Sequence, residues 1–316
     1  MVRAADLHVP VLRDLCVDLL RPALQNPGSV MIDATLGMGG HTEAILESIP
    51  TASVLGVDRD PDALALASKR LGRFGDRFTP VKGTFDTVED LGKQVDAVLM
   101  DLGVSSLQLD EAERGFAYAK DGPLDMRMNQ YEGQSAADLV NTADERELAR
   151  ILWEYGEEKM SRQIARAIVR EREKTPFSRT SELVDLIDRT IPPPARRRGG
   201  NPSKRTFQAL RIAVNDEIAV LERALPAMLR TLRVNGRMVV ESYHSLEDRI
   251  VKRVFASGLQ STAPPGLPVI PKKDLPRLKA ITKGAIKADE AESAANPRAK
   301  SVRLRGVELI RRWEET

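Results

Sequence analysis

VDAVLMDLGVSSLQLDEAERGFAYAKDGPLDMRM, residues 95–128, opens with the apolar run of a buried strand, Val95 to Met100, and passes directly into Asp101. In an ordinary α/β unit a short turn and an amphipathic helix follow such a strand. Here the segment after Asp101 contains three glycines, two serines, one glutamine, two aromatics and the DGPLDMRM run. Apolar periodicity is poor in it, which argues that covering a core is not its main purpose. Long loops in compact domains are functional or disordered, and the aromatics and methionines argue against disorder. Open α/β sheets place ligands at the carboxyl ends of their strands, so Asp101 and the loop behind it form the first candidate site.

Upstream, strand and helix alternate. Val30 to Asp33 reads as a short buried strand, then the turn ATLGMGGHT, then a helix from His41 to Ser48. Ser53 to Val57 forms a second strand ending at Asp58, and Pro61 begins a helix to Leu71, a placement that suits a first helical turn. Phe78 to Lys82 is a third strand and Val95 to Met100 the fourth. This order predicts an α/β fold with a mostly parallel, Rossmann-like sheet and right-handed crossovers.

Downstream the strand signal disappears. Ser135 to Val140, Asp144 to Trp153, Lys159 to Glu173 and Thr180 to Asp188 carry apolar residues at helical spacing. Ser181 and Thr142 stand where capping residues would. The expected organisation is a first α/β part over 1–108, an inserted all-helical domain over 109–204, and a second α/β part over 205–316. In that last part Arg205 to Leu232 reads as one long helix broken near Pro226. Gly236 to Ser242 is a fifth strand, Ser245 to Phe255 a helix, and Leu278–Thr282 and Ser301–Leu309 a final strand pair. KADEAESAANPRAK between that pair reads as polar and mobile.

Composition narrows the function class. The chain has 316 residues, 30% of them charged, with a formal net charge of +2, so a polyanionic partner must be met by local basic patches. One cysteine, Cys16, excludes a disulfide framework and a cysteine-based zinc site, and fits a reducing cytosol. His8, His41 and His244 are too scattered to suggest a metal centre. No apolar run reaches transmembrane length and the amino terminus lacks a signal-peptide core, so a cytoplasmic protein is expected.

The segment Asp33-Ala-Thr-Leu-Gly-Met-Gly-Gly-His-Thr42 differs from the dinucleotide fingerprint, because Thr42 stands at the third glycine position. Its glycines permit a sharp turn and close backbone approach to a ligand, though a tight structural turn needs them equally. Asp58 follows about twenty residues on, where a carboxylate can accept both hydroxyl hydrogens of a ribose. Nicotinamide dinucleotides and S-adenosylmethionine both use that geometry. Carboxylates such as Asp33 and Asp101 suit a sulfonium and an ammonium better than a pyrophosphate. Phe85, just after the third strand, is placed to pack on adenine or into the core.

With these residues in place, the chain resembles the RsmH (MraW) family of bacterial ribosomal RNA small-subunit methyltransferases. The matching runs are LHVPVL (7–12), DATLGMGGHT (33–42), GVDRDPDAL (56–64), DLGVSSLQLD (101–110), RGFAY (114–118), DGPLDMRM (121–128), TFQALRIAVNDE (206–217), SYHSLEDRIVK (242–252) and NPRAKSVRLR (296–305). The resemblance implies a class I S-adenosylmethionine-dependent methyltransferase fold with an inserted helical domain. It implies methylation of the exocyclic N4 of a cytosine in the decoding region of 16S rRNA, within the small ribosomal subunit. Cofactor positions carry over onto Gly39, Gly40, His41, Asp58, Phe85, Asp101 and Gln108. One departure concerns DNA amino-methyltransferases, whose D/N/S-P-P-aromatic motif is replaced here by Asp101, Leu102, Gly103 and Val104.

A cytosine amine is a weak nucleophile, so the chemistry needs in-line placement and an acceptor for an amine hydrogen. Asp101 or the carbonyls of Leu102 and Gly103 are candidates; alternatively Asp101 serves the cofactor alone. A flipped base would be received on an aromatic face, for which Phe116, Tyr118 and Tyr243 are candidates beside ordinary core roles. His244 is read as a phosphate contact or a helix cap. Arg114 and Arg127 are read as phosphate-orienting, and Arg196, Arg197 and Arg198, with Lys204 and Arg205, as an RNA-contacting basic loop.

Overall fold

The computed structural model describes residues 9–192, 201–264 and 269–313. Chain order begins α1 (Arg13–Leu20), β1 (Ser29–Asp33), α2 (Gly40–Ser48), β2 (Ala52–Asp58), α3 (Pro61–Leu71), β3 (Phe78–Lys82) and β4 (Val95–Asp101). Helices follow: α4 (Ser106–Asp110), α5 (Ala136–Thr142), α6 (Glu145–Glu154), α7 (Ser161–Arg172), α8 (Thr180–Thr190), α9 (Pro202–Asn215) and α10 (Glu217–Thr231). The chain then forms β5 (Leu232–Ser242), α11 (Ser245–Leu259), β6 (Leu278–Ala280), α12 (Glu290–Ala295) and β7 (Arg303–Leu309). Contacts group these into two units, Met1–Gly103 with Ile218–Thr316, and Val104–Glu217. The helical unit therefore takes in α9, which the sequence had assigned to the returning α/β part. No described helix is long and apolar enough to cross a membrane.

The first unit is built on one sheet in the order β3-β2-β1-β4-β5-β7-β6. The first five strands are parallel, while β7 runs antiparallel to β5 and to β6. Apolar residues on β4 alternate between two buried clusters, Val98 and Met100 in one, Ala97 and Leu99 in the other. Both faces of the sheet are thus covered, which is why this strand reads as a continuous apolar run. After β1 the chain adds strands on one side (β2, β3) and then on the other (β4, β5), so β1 and β4 flank the switch point where such sheets open a crevice.

Local signals explain several boundaries. Asp60 caps α3 by accepting from the Asp62 amide at 3.1 Å, with Pro61 in its first turn. The α6 cap is Asp144, which accepts from the Glu147 amide at 2.8 Å, rather than Thr142. The expected single helix over 205–232 is two helices. They part at Asp216, which is left-handed at φ 52°, and not at Pro226, which lies inside α10. Asn215 explains the break: its side chain donates to the Met126 carbonyl at 2.7 Å and accepts from the Met128 amide at 2.8 Å. Pro226 removes one helical hydrogen bond, but Leu221, Ala224, Leu225, Met228 and Leu229 around it are buried and hold the helix straight through. The polar run 287–300 is also ordered further than expected, because Asp289 caps α12 by accepting from the Glu292 amide at 2.7 Å.

The helical unit corrects a larger expectation. Residues 114–128 contribute several side chains to the core. Phe116, Leu124 and Met126 are buried in the cluster that includes Leu148, Ile151, Ile164, Ile168 and Leu210. The backbone here borrows partners from the helices: the Ala136 amide donates to the Asp125 carbonyl at 2.7 Å and the Thr180 amide to the Gly122 carbonyl at 2.9 Å. Burial without periodicity is possible because these side chains enter the core from an irregular strap, not from one face of a regular element.

Candidate functional site

Asp33, Asp58 and Asp101 each end a parallel strand, and Glu241 is the penultimate residue of β5. Parallel strands present their carboxyl ends at one edge, so the sheet itself brings these four acids to the same rim. Asp101 and Glu241 are also direct register partners across β4 and β5.

The turn after β1 is tied down from both sides. Asp33 is buried; one carboxylate oxygen accepts from the Thr42 hydroxyl at 2.6 Å and the other from the Thr35 amide at 3.3 Å. The Thr35 hydroxyl in turn accepts from the Asp101 amide at 2.6 Å, joining the first turn to the end of β4. Gly39 takes a left-handed conformation at φ 78° before α2, and a Cβ there would approach the Leu71 side chain at 2.8 Å. The turn therefore favours glycine here, and any side chain at this position would also have to displace Leu71.

Asp58 accepts from the Gly37 amide at 2.8 Å through one oxygen and from the Asp60 amide at 2.9 Å through the other. Each oxygen keeps a further lone pair, the pattern that can receive two neighbouring hydroxyls. Burial pushes its pKa up to about 6, against the lowering effect of those two amides. Phe85 lies just beyond β3, half-buried against the core cluster.

The buried centre of the rim is His41. Its Nε2 lies 3.3 Å from Glu241 and 3.7 Å from Asp101. Burial pushes the imidazole pKa down, but contact with Glu241 and the charges of Glu241, Asp101 and Asp33 outweigh it and raise it to about 9. Asp101 is raised to about 7, first by burial and then by Glu241, although His41 and the hydrogen-bonding hydroxyl of Tyr243 oppose the shift. The Cys16 thiol, Glu241 and His41 bring their donor atoms within 4.8 Å of one another. Burial and the neighbouring carboxylates push that thiol well up, so it stays a neutral S–H group. Sequence spacing had set Cys16 and His41 apart; only the fold unites them. Glu241 was also missed, although an acid inside the apolar run MVVES was its visible signal.

Tyr243 lies near Asp101, and burial followed by the charges of Asp101 and Glu241 pushes its hydroxyl pKa well up. His244 opens α11, where Glu247 accepts from its amide at 3.2 Å and from the Tyr243 amide at 2.8 Å; this is the helix-capping role. In the helical unit, Gln108 accepts from the Ser105 amide at 3.0 Å while the Ser105 hydroxyl accepts from the Gln108 amide at 3.3 Å, a capping box on α4. Arg114 is buried and donates to the carbonyls of Arg127 and Met128, a structural tie and not a phosphate contact. Phe116 is core, and Tyr118 meets Phe207 edge-on at 6.1 Å between ring centroids. Arg127 forms a two-pronged pair with Asp125 at 2.9 and 2.8 Å. Arg205 pairs with Glu158 at 2.6 Å, so this member of the basic loop already has an acidic partner. Arg196, Arg197 and Arg198 lie outside the described residues.

A mostly parallel sheet with an antiparallel β7 beside β5, a glycine turn after β1 and acids ending β1, β2 and β4 defines the class I S-adenosylmethionine-dependent methyltransferase architecture. The model of the MraW methylase family matches residues 5–310, and the chain belongs to that family. A Beutenbergia cavernae protein named ribosomal RNA small subunit methyltransferase H is 60% identical over 98% of this chain and 94% of its own. A Streptomyces avermitilis protein of the same name is 57% identical over 96% of this chain and 97% of its own. Among solved structures, an rRNA methylase from Streptococcus thermophilus aligns over 94% of this chain and 95% of that one, with TM-score 0.44 and 11% identity.

S-adenosylmethionine is the cofactor, and the donor set fits it. Glu241 and Asp101 lie beside His41 and the charge of Asp33 also acts on it, so the acids outnumber the one imidazole, and Oδ1 of Asp101 is buried with no hydrogen-bond partner among the described residues. A group carrying a sulfonium and an ammonium balances such a surplus of negative charge; a pyrophosphate would add to it.

Proposed function

We propose that this chain methylates the exocyclic N4 of a cytosine in the decoding region of 16S rRNA, acting on the small ribosomal subunit. The observation that carries the reading is the rim of carboxylates around Asp101 in a chain 60% identical, nearly end to end, to a protein named for small-subunit rRNA methylation. Bound S-adenosylmethionine supplies an electrophilic methyl on a cationic sulfur.

In this reading Asp58 accepts the ribose hydroxyls, Phe85 packs on the adenine, and the backbone at Gly39, Gly40 and His41 faces the amino-acid end. Gln108 is carried to the cofactor by the family resemblance. Asp101 contributes to the cation's site and accepts the hydrogen that N4 loses as its new C–N bond forms. A pKa about 7 suits that second task, because a base is most effective when its pKa is near the working pH. Glu241 and His41 act through Asp101 by fixing the charge around it. Tyr243, whose hydroxyl and Asp101 act on each other's protonation, is the aromatic that receives the base in this reading, a part for which Phe116 is too deeply buried.

The test is mass mapping of 16S rRNA from cells with and without this protein. Loss of one methyl group from a decoding-region cytosine, restored by the wild-type chain and not by Asp101→Asn, is the expected outcome. A methyl lost from another base, or none lost, removes the assignment.

A further inference from the structure

The arginines of the helical unit divide into two groups. Arg114, Arg127, Arg150, Arg166, Arg172, Arg179, Arg189, Arg205 and Arg211 each have a carboxylate or carbonyl partner. Arg146, Arg162 and Arg170 have none among the described residues, and all three sit on α6 and α7, the helix pair that packs most closely in this unit.

On α7 the pattern is regular. Ser161, Ile164, Ala165, Ala167 and Ile168 are buried, while Arg162, Arg166 and Arg170 are exposed at four-residue steps on the opposite face. Each step advances about 6 Å along the helix. Arg166 reaches Glu145 at 3.5 Å, with the Arg166 side chain still 74% exposed, which sets the start of α6 beside the middle of this row; exposed Arg146 follows Glu145 on that first turn. Further along α6, at four-residue steps from Glu145 through Ala149, stands Trp153, 59% exposed. Like charges in a row repel one another and cost stability, so a face that keeps Arg146, Arg162 and Arg170 without a partner among the described residues, with Glu145 reaching only Arg166, is suited to a partner bearing negative charge.

We infer that the α6–α7 face of the helical unit, through Arg146, Arg162, Arg166, Arg170 and Trp153, is a docking surface for the phosphate backbone of an RNA strand. Extended cations joined to an exposed aromatic are the chemistry of RNA contact: the guanidinium groups take phosphates and the indole takes the face of an unstacked base. The inference rests on the rRNA reading above and names, within the helical unit, residues that contact the RNA.

The experiment compares wild type with Arg162→Ala/Arg166→Ala/Arg170→Ala, in the full-length chain, for binding to a decoding-region 16S rRNA fragment and to intact small subunits across a salt series. Alanine is a strong helix former and the buried face of α7 is untouched, so the variant keeps its fold, checked by circular dichroism and by S-adenosylmethionine affinity. Arg150→Ala, which removes an arginine already paired with Glu147 and Glu154, is the control. Three lost phosphate contacts lower the slope of log affinity against log salt by about 2, and weaken binding about tenfold or more near physiological salt, while the control is unchanged. Trp153→Ala weakens binding about fivefold or more without changing the slope. Equal slopes in wild type and the triple variant overturn the surface. So does a loss seen on intact subunits but not on naked rRNA, which assigns the face to a ribosomal protein. Wild type that binds neither RNA overturns the rRNA reading itself.

Discussion

Nε2 of His41 lies 3.3 Å from the carboxylate of Glu241, a side chain wholly excluded from solvent. Neither is tolerable alone as a charge at such depth, and each makes the other possible. With Asp101 3.7 Å from the same nitrogen, His41 is the cation that these two acids share.

Breaking this pair is expected to be costly. Glu241→Gln leaves His41 buried without its counter-charge and should lower unfolding free energy by about 3 kcal/mol, read by urea denaturation at neutral pH. The pH dependence follows from the raised imidazole. Stability contributed by His41 is complete below its ordinary value of 6.5 and is lost as pH rises through about 9. Wild type should therefore weaken over that alkaline window. Glu241→Gln should show a much smaller decline; an equal decline would remove the pair as its source.

Asp58 makes cofactor affinity sensitive to acid. Its carboxyl is held at about 6 in the free protein, and hydroxyl donors favour the ionised form. Affinity for S-adenosylmethionine should fall as pH drops through about 6, and calorimetric titration of Asp58→Asn should show binding weakened about tenfold or more and flat across that range.

Asp101→Asn separates two roles in one measurement pair. If Asp101 accepts the amine hydrogen, turnover falls about a hundredfold or more while cofactor affinity changes far less. The wild-type rate should also rise as pH passes through about 7, where Asp101 loses its proton, and the variant should lack that rise. A loss confined to cofactor affinity would assign Asp101 to binding alone.

Gly115→Ala tests the strap that runs through the helical core. At φ 72° a Cβ would lie 2.2 Å from the Pro123 carbonyl oxygen and 2.8 Å from the Asp125 amide, both backbone atoms that cannot swing aside. A loss of about 3 kcal/mol or more in chemical denaturation is expected, whereas Gly133→Ala, also at positive φ but with open space around it, should cost about 1 kcal/mol.

Much of the α/β unit was legible from residues 29–101. Strand and helix alternate there with clear apolar runs, and Asp60 and Pro61 mark a helix start by local chemistry alone. Asp33, Asp58 and Asp101 stood out because strand ends are readable and an acid following an apolar run is conspicuous. Helix joins were read less well. Pro226 looked like a break and was not, because burial of the surrounding α10 side chains outweighs one lost hydrogen bond. Asp216 was the break, held by a side chain, Asn215, whose partners lie 87 and 89 residues away.

Residues 95–128 show where the division falls. Sequence alone determined the strand, its terminal Asp101 and the absence of a regular helix behind it, since each depends on neighbours within a few positions. Tertiary structure alone decided that Phe116, Leu124 and Met126 are core, that Arg114 ties carbonyls instead of phosphates, and that Cys16, His41 and Glu241 meet. Those outcomes depend on which distant segments fill the space beside each side chain. Periodicity records the burial of regular elements, and an irregular strap buried by its partners leaves no such record.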